Sequence, residues 1–262
     1  HRLSSAASDV YKRQNKHKPT HLAVVFDSKE PTFRHIEFSE YKANRQEMPD
    51  PIKNSLDYIF KFLDSINVKT YAKPGYEADD IIGTISKALE KKEFEVFMMT
   101  PDKDFAQLVS KNIKMYRPSS KWKPSEIWGV ENVLEQFKIQ NQKQVIDLLA
   151  LMGDASDNIP GIPGVGKITA QKFISQFGSV ENLLENVDKI SGKIKQKVID
   201  GRESAILSKR LATIITDVPI EFDEKEMIVG QFNSVKLKEL FDELEFRNPV
   251  SYTHLRAHET AI

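Results

Sequence analysis

The stretch FEVFMMTPDKDFAQL, Phe94 to Leu108, passes from an apolar run directly into two acids, Asp102 and Asp104. FEVFMMT is short, bounded and apolar on both faces, the pattern of a strand inside a sheet covered on both sides. Working outward, THLAVVFD reads as a buried strand that ends at Asp27, NVKTYAK as a second and NIKMYRP as a further short one. Between them lie helical periods. DPIKNSLDYIFKFLDSI has Asp50 at the cap, Pro51 in the first turn, and Ile52, Leu56, Ile59, Leu63 and Ile66 on one face. EADDIIGTISKALEKK turns Ile81, Ile82, Ile85 and Leu89 inward. This alternation predicts an α/β fold with a mainly parallel sheet flanked by helices, in which sites gather beyond the carboxyl ends of the strands. From about Ser125 the pattern is almost wholly helical.

Composition sets the frame. The chain has 262 residues, with 38 Lys+Arg balanced by 38 Asp+Glu, and 40% of it is hydrophobic, enough for a substantial core. Neutrality leaves any nucleic-acid partner to be decided by where the cations cluster. No run of about 18 apolar residues could span a membrane. No cysteine is present, which removes disulfides and thiolate metal sites and fits a cytoplasmic protein. The ends, HRLSSAASDVYKRQ and VSYTHLRAHETAI, share no period with their neighbours and resemble translated sequencing-adapter read-through. Residues 1–14 and 250–262 are therefore set apart from an α/β core over 15–124 and a helical part over 125–249.

The acids fall at strand exits. Asp27 closes the first strand, Glu77, Asp79 and Asp80 open a helix, Asp102 and Asp104 follow FEVFMMT, and Asp154 and Asp157 lie in MGDASDN. Parallel strands send all these exits to one edge, where packed carboxylates repel one another unless a cation lies among them. Oxygen ligands without cysteine or suitably spaced histidine suit Mg²⁺ or Mn²⁺. Two subclusters suit two ions that activate water and stabilise a leaving phosphate oxygen. Asp102 and Asp104 are thus expected to hold metal rather than to cap a helix.

The second informative stretch is NIPGIPGVGKITAQKFISQFG, within a helix-hairpin-helix expected at about 153–178. Glycines let backbone N–H groups approach a phosphate, so Gly161, Gly164, Val165 and Gly166 form the contact, with Lys167 and Thr169 adding side chains. A K⁺ ion at the hairpin carbonyls is compatible with it. Such a hairpin reads backbone, not bases.

In order and spacing, VVFDSKEPTFRHIEFSEYKANRQEMP, GYEADDIIGT, MMTPDKDFAQL, LLALMGDASDNIPGIPGVGKITAQKFI and FDELEFR resemble the 5′-nuclease, or flap endonuclease, family in the form that opens bacterial DNA polymerase I. The resemblance covers Asn15 to about Asn248. It implies a PIN-like sheet and two-metal, structure-specific hydrolysis of phosphodiesters at DNA 5′ ends, flaps and nicks, including RNA primers paired to DNA. It further implies a monomeric nucleoid-associated protein with a polymerase domain downstream. It assigns Asp27, Glu77 and Asp79 to a first metal site and Asp102, Asp104, Asp154 and Asp157 to a second, with Asp80 nearby. Arg34 and Lys42 become catalytic candidates that, with Arg45, grip the phosphates of a single-stranded 5′ arm, and Tyr41 could stack a base or anchor a helix. The family's opening strand, which carries another metal-binding Asp, has no counterpart before Asp27, so the chain reads as an internal fragment. Alternatives are a catalytically impaired DNA-binding fragment of the same domain and a PIN-like ribonuclease.

Overall fold

The computed structural model describes residues 18–119 and 124–244, so the two expected tails lie outside the described residues. In chain order the elements are β1 (Ala23–Val25), α1 (Phe33–Glu37), α2 (Asp50–Lys53), α3 (Leu56–Ser65), β2 (Lys69–Tyr71), α4 (Ala78–Glu90), β3 (Val96–Met99), a 3-10 helix (Lys103–Leu108), β4 (Ile113–Arg117) and β5 (Glu126–Trp128). Then follow α5 (Val130–Phe137), α6 (Gln144–Met152), α7 (Lys167–Phe177), α8 (Val180–Glu185), α9 (Lys193–Asp200), α10 (Arg202–Ala212) and α11 (Ser234–Glu243), with short 3-10 turns at Val187–Lys189 and Glu224–Met227.

The chain divides into two compact units. Among the described residues the smaller unit takes 18–24, 47–71 and 221–244. Its α3 and α11 pack together, and Leu63, Ile66, Val68, Tyr71, Met227, Leu237 and Leu240 are buried in it. Ladder-like bonds such as Leu22 N–H to Met227 O (2.7 Å) hold its edge. The single helix expected over 50–66 is broken at Asn54–Ser55. There the Ser55 hydroxyl donates to Pro51 O (2.6 Å), a local bond that competes with helix propagation.

The larger unit, 25–46 and 72–220, contains all the expected site residues. Its sheet runs β3-β4-β5, with β3 and β4 parallel in the register Val96↔Ile113 to Met99↔Tyr116, and β4 and β5 antiparallel. β5 is a strand where the sequence suggested only helices, because three residues, EIW, are too few to show a period. β3 is also less buried than its apolar run implied: Met98 is 3% exposed, but Phe97 and Met99 are 45% and 47% exposed. β3 lies at one edge of this sheet, and α4 packs against it. Likewise β1 is half-buried rather than buried. The core centres on α6, whose Val145, Leu148, Leu149, Ala150 and Leu151 are essentially inaccessible, with α7 and α10 packed around it.

Candidate active site

The larger unit brings the acidic segments together. Glu77 caps α4, and the next amide, Ala78 N–H, donates to Asp27 Oδ1 (2.7 Å), so the exit after β1 is tied to the start of α4. The Asp79 carboxyl is pushed up to about 7 by burial first, then by the charges of Asp102 and Glu77, with Lys42 opposing and Asp27 adding. Burial, Asp102, Asp154 and Asp157 push the Asp104 carboxyl to about 7 as well, against the pull of Lys103. Four segments distant in sequence therefore share one electrostatic neighbourhood. Asp104 is 8% exposed and its Oδ1 is buried without a hydrogen-bond partner, as a site for a cation would leave it.

The loop bearing Asp154 and Asp157 is closed by a small bridge, Asp154 N–H to Ile159 O (2.9 Å) and Ile159 N–H to Asp154 O (2.8 Å). Gly153 makes this possible at φ +71, since a Cβ there would lie 2.5 Å from Ile159 O. The segment 40–45 is laced onto the same loop. Lys42 N–H donates to Asp157 O (2.9 Å), Asn44 Nδ2 to Ala155 O (2.7 Å) and Asn158 Nδ2 to Glu40 O (2.6 Å).

Among the described residues no three Asp, Glu or His side chains are arranged to hold one ion as they stand. Cationic side chains sit between the carboxylates instead. Lys42 Nζ lies 2.6 Å from Glu77 Oε1 and 3.6 Å from Asp157 Oδ2, and Arg45 pairs with Asp157 Oδ1 at 2.5 Å. Lys103 pairs with Asp154 Oδ2 and lies 3.9 Å from Asp104 Oδ1. Burial works against the Lys103 charge, but the Asp154 bond and the charges of Asp104, Asp154 and Asp102 outweigh it and raise its pKa. Lys103 sits inside PDKD, yet nothing in the sequence marks it out, because a lysine between two aspartates reads as solvated charge.

Four expectations need correction. Arg34, expected to grip the phosphates of a 5′ arm, is 2% exposed and entirely engaged within the protein. Its Nη1 and Nη2 hold Asp80 at 2.7 and 2.8 Å, Nε donates to Leu211 O (2.8 Å), Nη2 to Thr213 O (2.7 Å), and Glu77 Oε2 lies 3.2 Å from Nη1. Asp80 is 0% exposed, and besides Arg34 it accepts from Ile215 N–H (2.9 Å) and Glu77 N–H (3.2 Å), so its oxygens are spent on structure rather than on metal. Tyr41 is 3% exposed and cannot stack on a base. Its hydroxyl donates to Glu77 Oε2 (3.1 Å), with Asp157 Oδ2 at 3.3 Å, so it anchors the acidic edge. Asp102, finally, does cap a helix: its Oδ1 accepts from Asp104 N–H (3.0 Å), while Thr100 Oγ1 accepts from Asp102 N–H.

The hairpin is partly as expected. Ile162, Pro163, Gly164 and Val165 form a turn closed by Val165 N–H to Ile162 O (2.9 Å), with Gly164 at φ +80, the Pro-Gly order of a type II turn. Gly166 caps α7 in extended conformation without a side-chain partner, leaving first-turn N–H groups directed outward. Gly164, Gly166 and Lys167 are exposed and Thr169 is half-buried. Two residues leave the contact set. Gly161 is buried at φ +62, and a Cβ there would lie 2.3 Å from Gly153 N, so it is needed for packing; the Val165 side chain is 3% exposed and belongs to the core. On the amino-terminal side the hairpin adjoins the Asp154–Ile159 loop rather than a helix, because α6 ends at Met152. Lys197 of α9, unmarked by any motif, lies across the turn, its Nζ 2.3 Å from where a Gly164 Cβ would stand. Ile168, 72% exposed beside it, was also unforeseen.

The family model of the 5′-3′ exonuclease N-terminal resolvase-like domain matches residues 3–138, and that of the 5′-3′ exonuclease C-terminal SAM fold matches residues 140–235. DNA polymerase I of Bacillus subtilis (strain 168) is 42% identical over 230 residues, 87% of this chain and 26% of the relative. DNA polymerase I of Caldicellulosiruptor bescii is 36% identical over 241 residues, 91% of this chain and 28% of the relative. The chain thus spans about a quarter of the length of these curated relatives. Among solved structures, T5 5′-exonuclease with bound zinc has a TM-score of 0.68 at 22% identity, covering 94% of this chain and 91% of its own. The catalytic core of Rad2 in complex with DNA substrate has a TM-score of 0.57 at 16% identity, covering 84% and 71%. These two likenesses show the same fold. With both family models matched in sequence order, the chain belongs to the 5′-3′ exonuclease family.

Proposed function

We propose that this chain is a divalent-metal-dependent nuclease that hydrolyses DNA phosphodiesters at 5′ ends, flaps and nicks, and RNA primers paired to DNA, as one part of a DNA polymerase I. The observation that carries the reading is the convergence of acids from four segments on Asp79 and Asp104, with Asp102 acting on both and the buried Oδ1 of Asp104 lacking a hydrogen-bond partner. The donor set is all oxygen, which fits Mg²⁺ or Mn²⁺. Asp27, Glu77 and Asp79 would hold one ion and Asp102, Asp104, Asp154 and Asp157 the other. When bound, such ions lower the pKa of water and offset the charge building on the leaving oxygen. The chain's own groups do the rest. Lys42 and Arg45 stand at the acidic edge, where their positive charges would meet a substrate phosphate, and Tyr41 fixes the direction of Glu77. The exposed Gly164, Gly166 and Lys167 offer backbone N–H groups and one ammonium to duplex phosphates, K⁺ would sit at the hairpin carbonyls, and contacts of this kind carry no base preference. A monomer acting in the cytoplasm on the nucleoid fits a chain in which, among the described residues, no helix is long and apolar enough to cross a membrane.

The test is cleavage of a labelled 5′-flap DNA beside single-stranded RNA, in Mg²⁺ and in chelator. Metal-dependent release of the flap is expected. Cleavage of the RNA alone would indicate a PIN-like ribonuclease instead, and DNA binding without cleavage in Mg²⁺ would leave only a binding module.

A further inference from the structure

We propose that Lys103 is a tethered counter-ion: its ammonium takes the place of a divalent cation between Asp154 and Asp104, and gives that place up when the cation binds. This rests on the metal-dependent reading above. Lys103 begins the 3-10 helix, so its backbone is fixed beside Asp102 and Asp104 while its four-carbon stem can swing. Its Nζ pairs with Asp154 Oδ2 and lies 3.9 Å from Asp104 Oδ1, the buried oxygen that otherwise has no partner. The other oxygen of Asp154 already accepts from Ser156 N–H (2.7 Å), so a cation entering this group meets the lysine first. The side chain of Lys103 is 38% exposed, which leaves the ammonium a path into solvent. Without it, Asp102, Asp104 and Asp154 would face one another uncompensated whenever metal is absent. The same residue therefore protects the metal-free fold and competes with the metal. Lys42 bridges Glu77 and Asp157 in the same way but starts from a constrained backbone, φ +56 with its N–H bonded to Asp157 O. Lys103 is the freer of the two. It acts through the carboxylates it holds and is a positioning residue.

The test measures metal binding without DNA. Mg²⁺ is titrated calorimetrically into the chain and into its Lys103→Met and Lys103→Arg variants, and each is melted in chelator. Lys103→Met should bind Mg²⁺ about two- to fivefold more tightly, the scale of one partly exposed ion pair released. It should also melt lower in chelator, and Lys103→Arg should stay near the parent in both. Parent-like or weaker Mg²⁺ binding by Lys103→Met overturns the proposal while leaving the metal-dependent reading intact. A parent chain that binds no Mg²⁺ overturns both. Should Lys103→Met fail to fold, amine acylation followed by mass spectrometry is done on the parent, with Lys197 as the internal reference. Acylation of Lys103 that rises on adding Mg²⁺ supports displacement, and unchanged acylation overturns it.

Discussion

Replacing Asp102 by asparagine separates its two duties. Asn keeps the Oδ1 that accepts from Asp104 N–H, so the 3-10 helix should stay capped and the melting temperature close to that of the parent. The negative charge offered to metal is lost, and cleavage should fall by at least about 10²-fold, in keeping with several kcal/mol of lost transition-state stabilisation. Flap cleavage within about threefold of the parent at saturating Mg²⁺ would remove Asp102 from the metal-holding set. Arg34 calls for the opposite pattern. Arg34→Ala strands the fully buried Asp80 and frees the carbonyls of Leu211 and Thr213, so it should cost roughly 3–5 kcal/mol of stability. A urea melt of Arg34→Ala superimposable on the parent's would show that the Arg34 network adds nothing to stability.

At the scale of elements, the hairpin and the loop before it can be told apart by their glycines. A side chain at Gly166 meets nothing within 4 Å, and its φ is −91, so Gly166→Val should fold normally yet weaken duplex binding at the mouth of α7. Gly161→Ala places a methyl against Gly153 backbone at positive φ and should lower stability and binding together. If melts and DNA titrations show Gly166→Val binding as tightly as the parent, the outward N–H groups of α7 make no phosphate contact. These elements also show what sequence could reveal. The acids were legible because strand exits and helix starts are local patterns, and the Pro-Gly turn is written in its own four residues. Arg34 was not, since its partners Leu211 and Thr213 lie 177 and 179 residues away and nothing near Phe33–Glu37 announces them. Tyr41 and Gly161 were misjudged for a related reason. Whether a ring or a glycine faces solvent or another backbone depends on what packs across from it.

For the whole molecule, the acidic edge should set how stability depends on pH. Asp79 and Asp104 titrate near 7 when folded, against an ordinary value near 4, so in the metal-free protein the folded state binds more protons than the unfolded one across that window. Stability must then fall as pH rises through it, by on the order of a few kcal/mol, since each tenfold difference in proton affinity between the two states is worth about 1.36 kcal/mol. Asp154, Glu90 and Glu181 titrate below their ordinary range, and what they contribute is lost only at more acid pH. Melts in chelator should therefore give a higher transition temperature at pH 5.5 than at pH 8, and Asp104→Asn should flatten the difference. A parent that is equally stable at both values would contradict the crowding of charge inferred around Asp104.

The bonds that lace 40–45 onto 154–159 bear on how the fold breathes. Lys42 N–H is bonded to Asp157 O, while the amides of Asp154 and Ile159 close the bridge behind it. Segment 40–45 can detach by losing its cross-bonds alone, while the Asp154–Ile159 bridge closes the loop on itself. Lys42 N–H should therefore exchange with deuterium through an opening no costlier than the one that exposes Asp154 and Ile159. A substrate strand that holds 40–45 against the loop would slow exchange at Lys42 first.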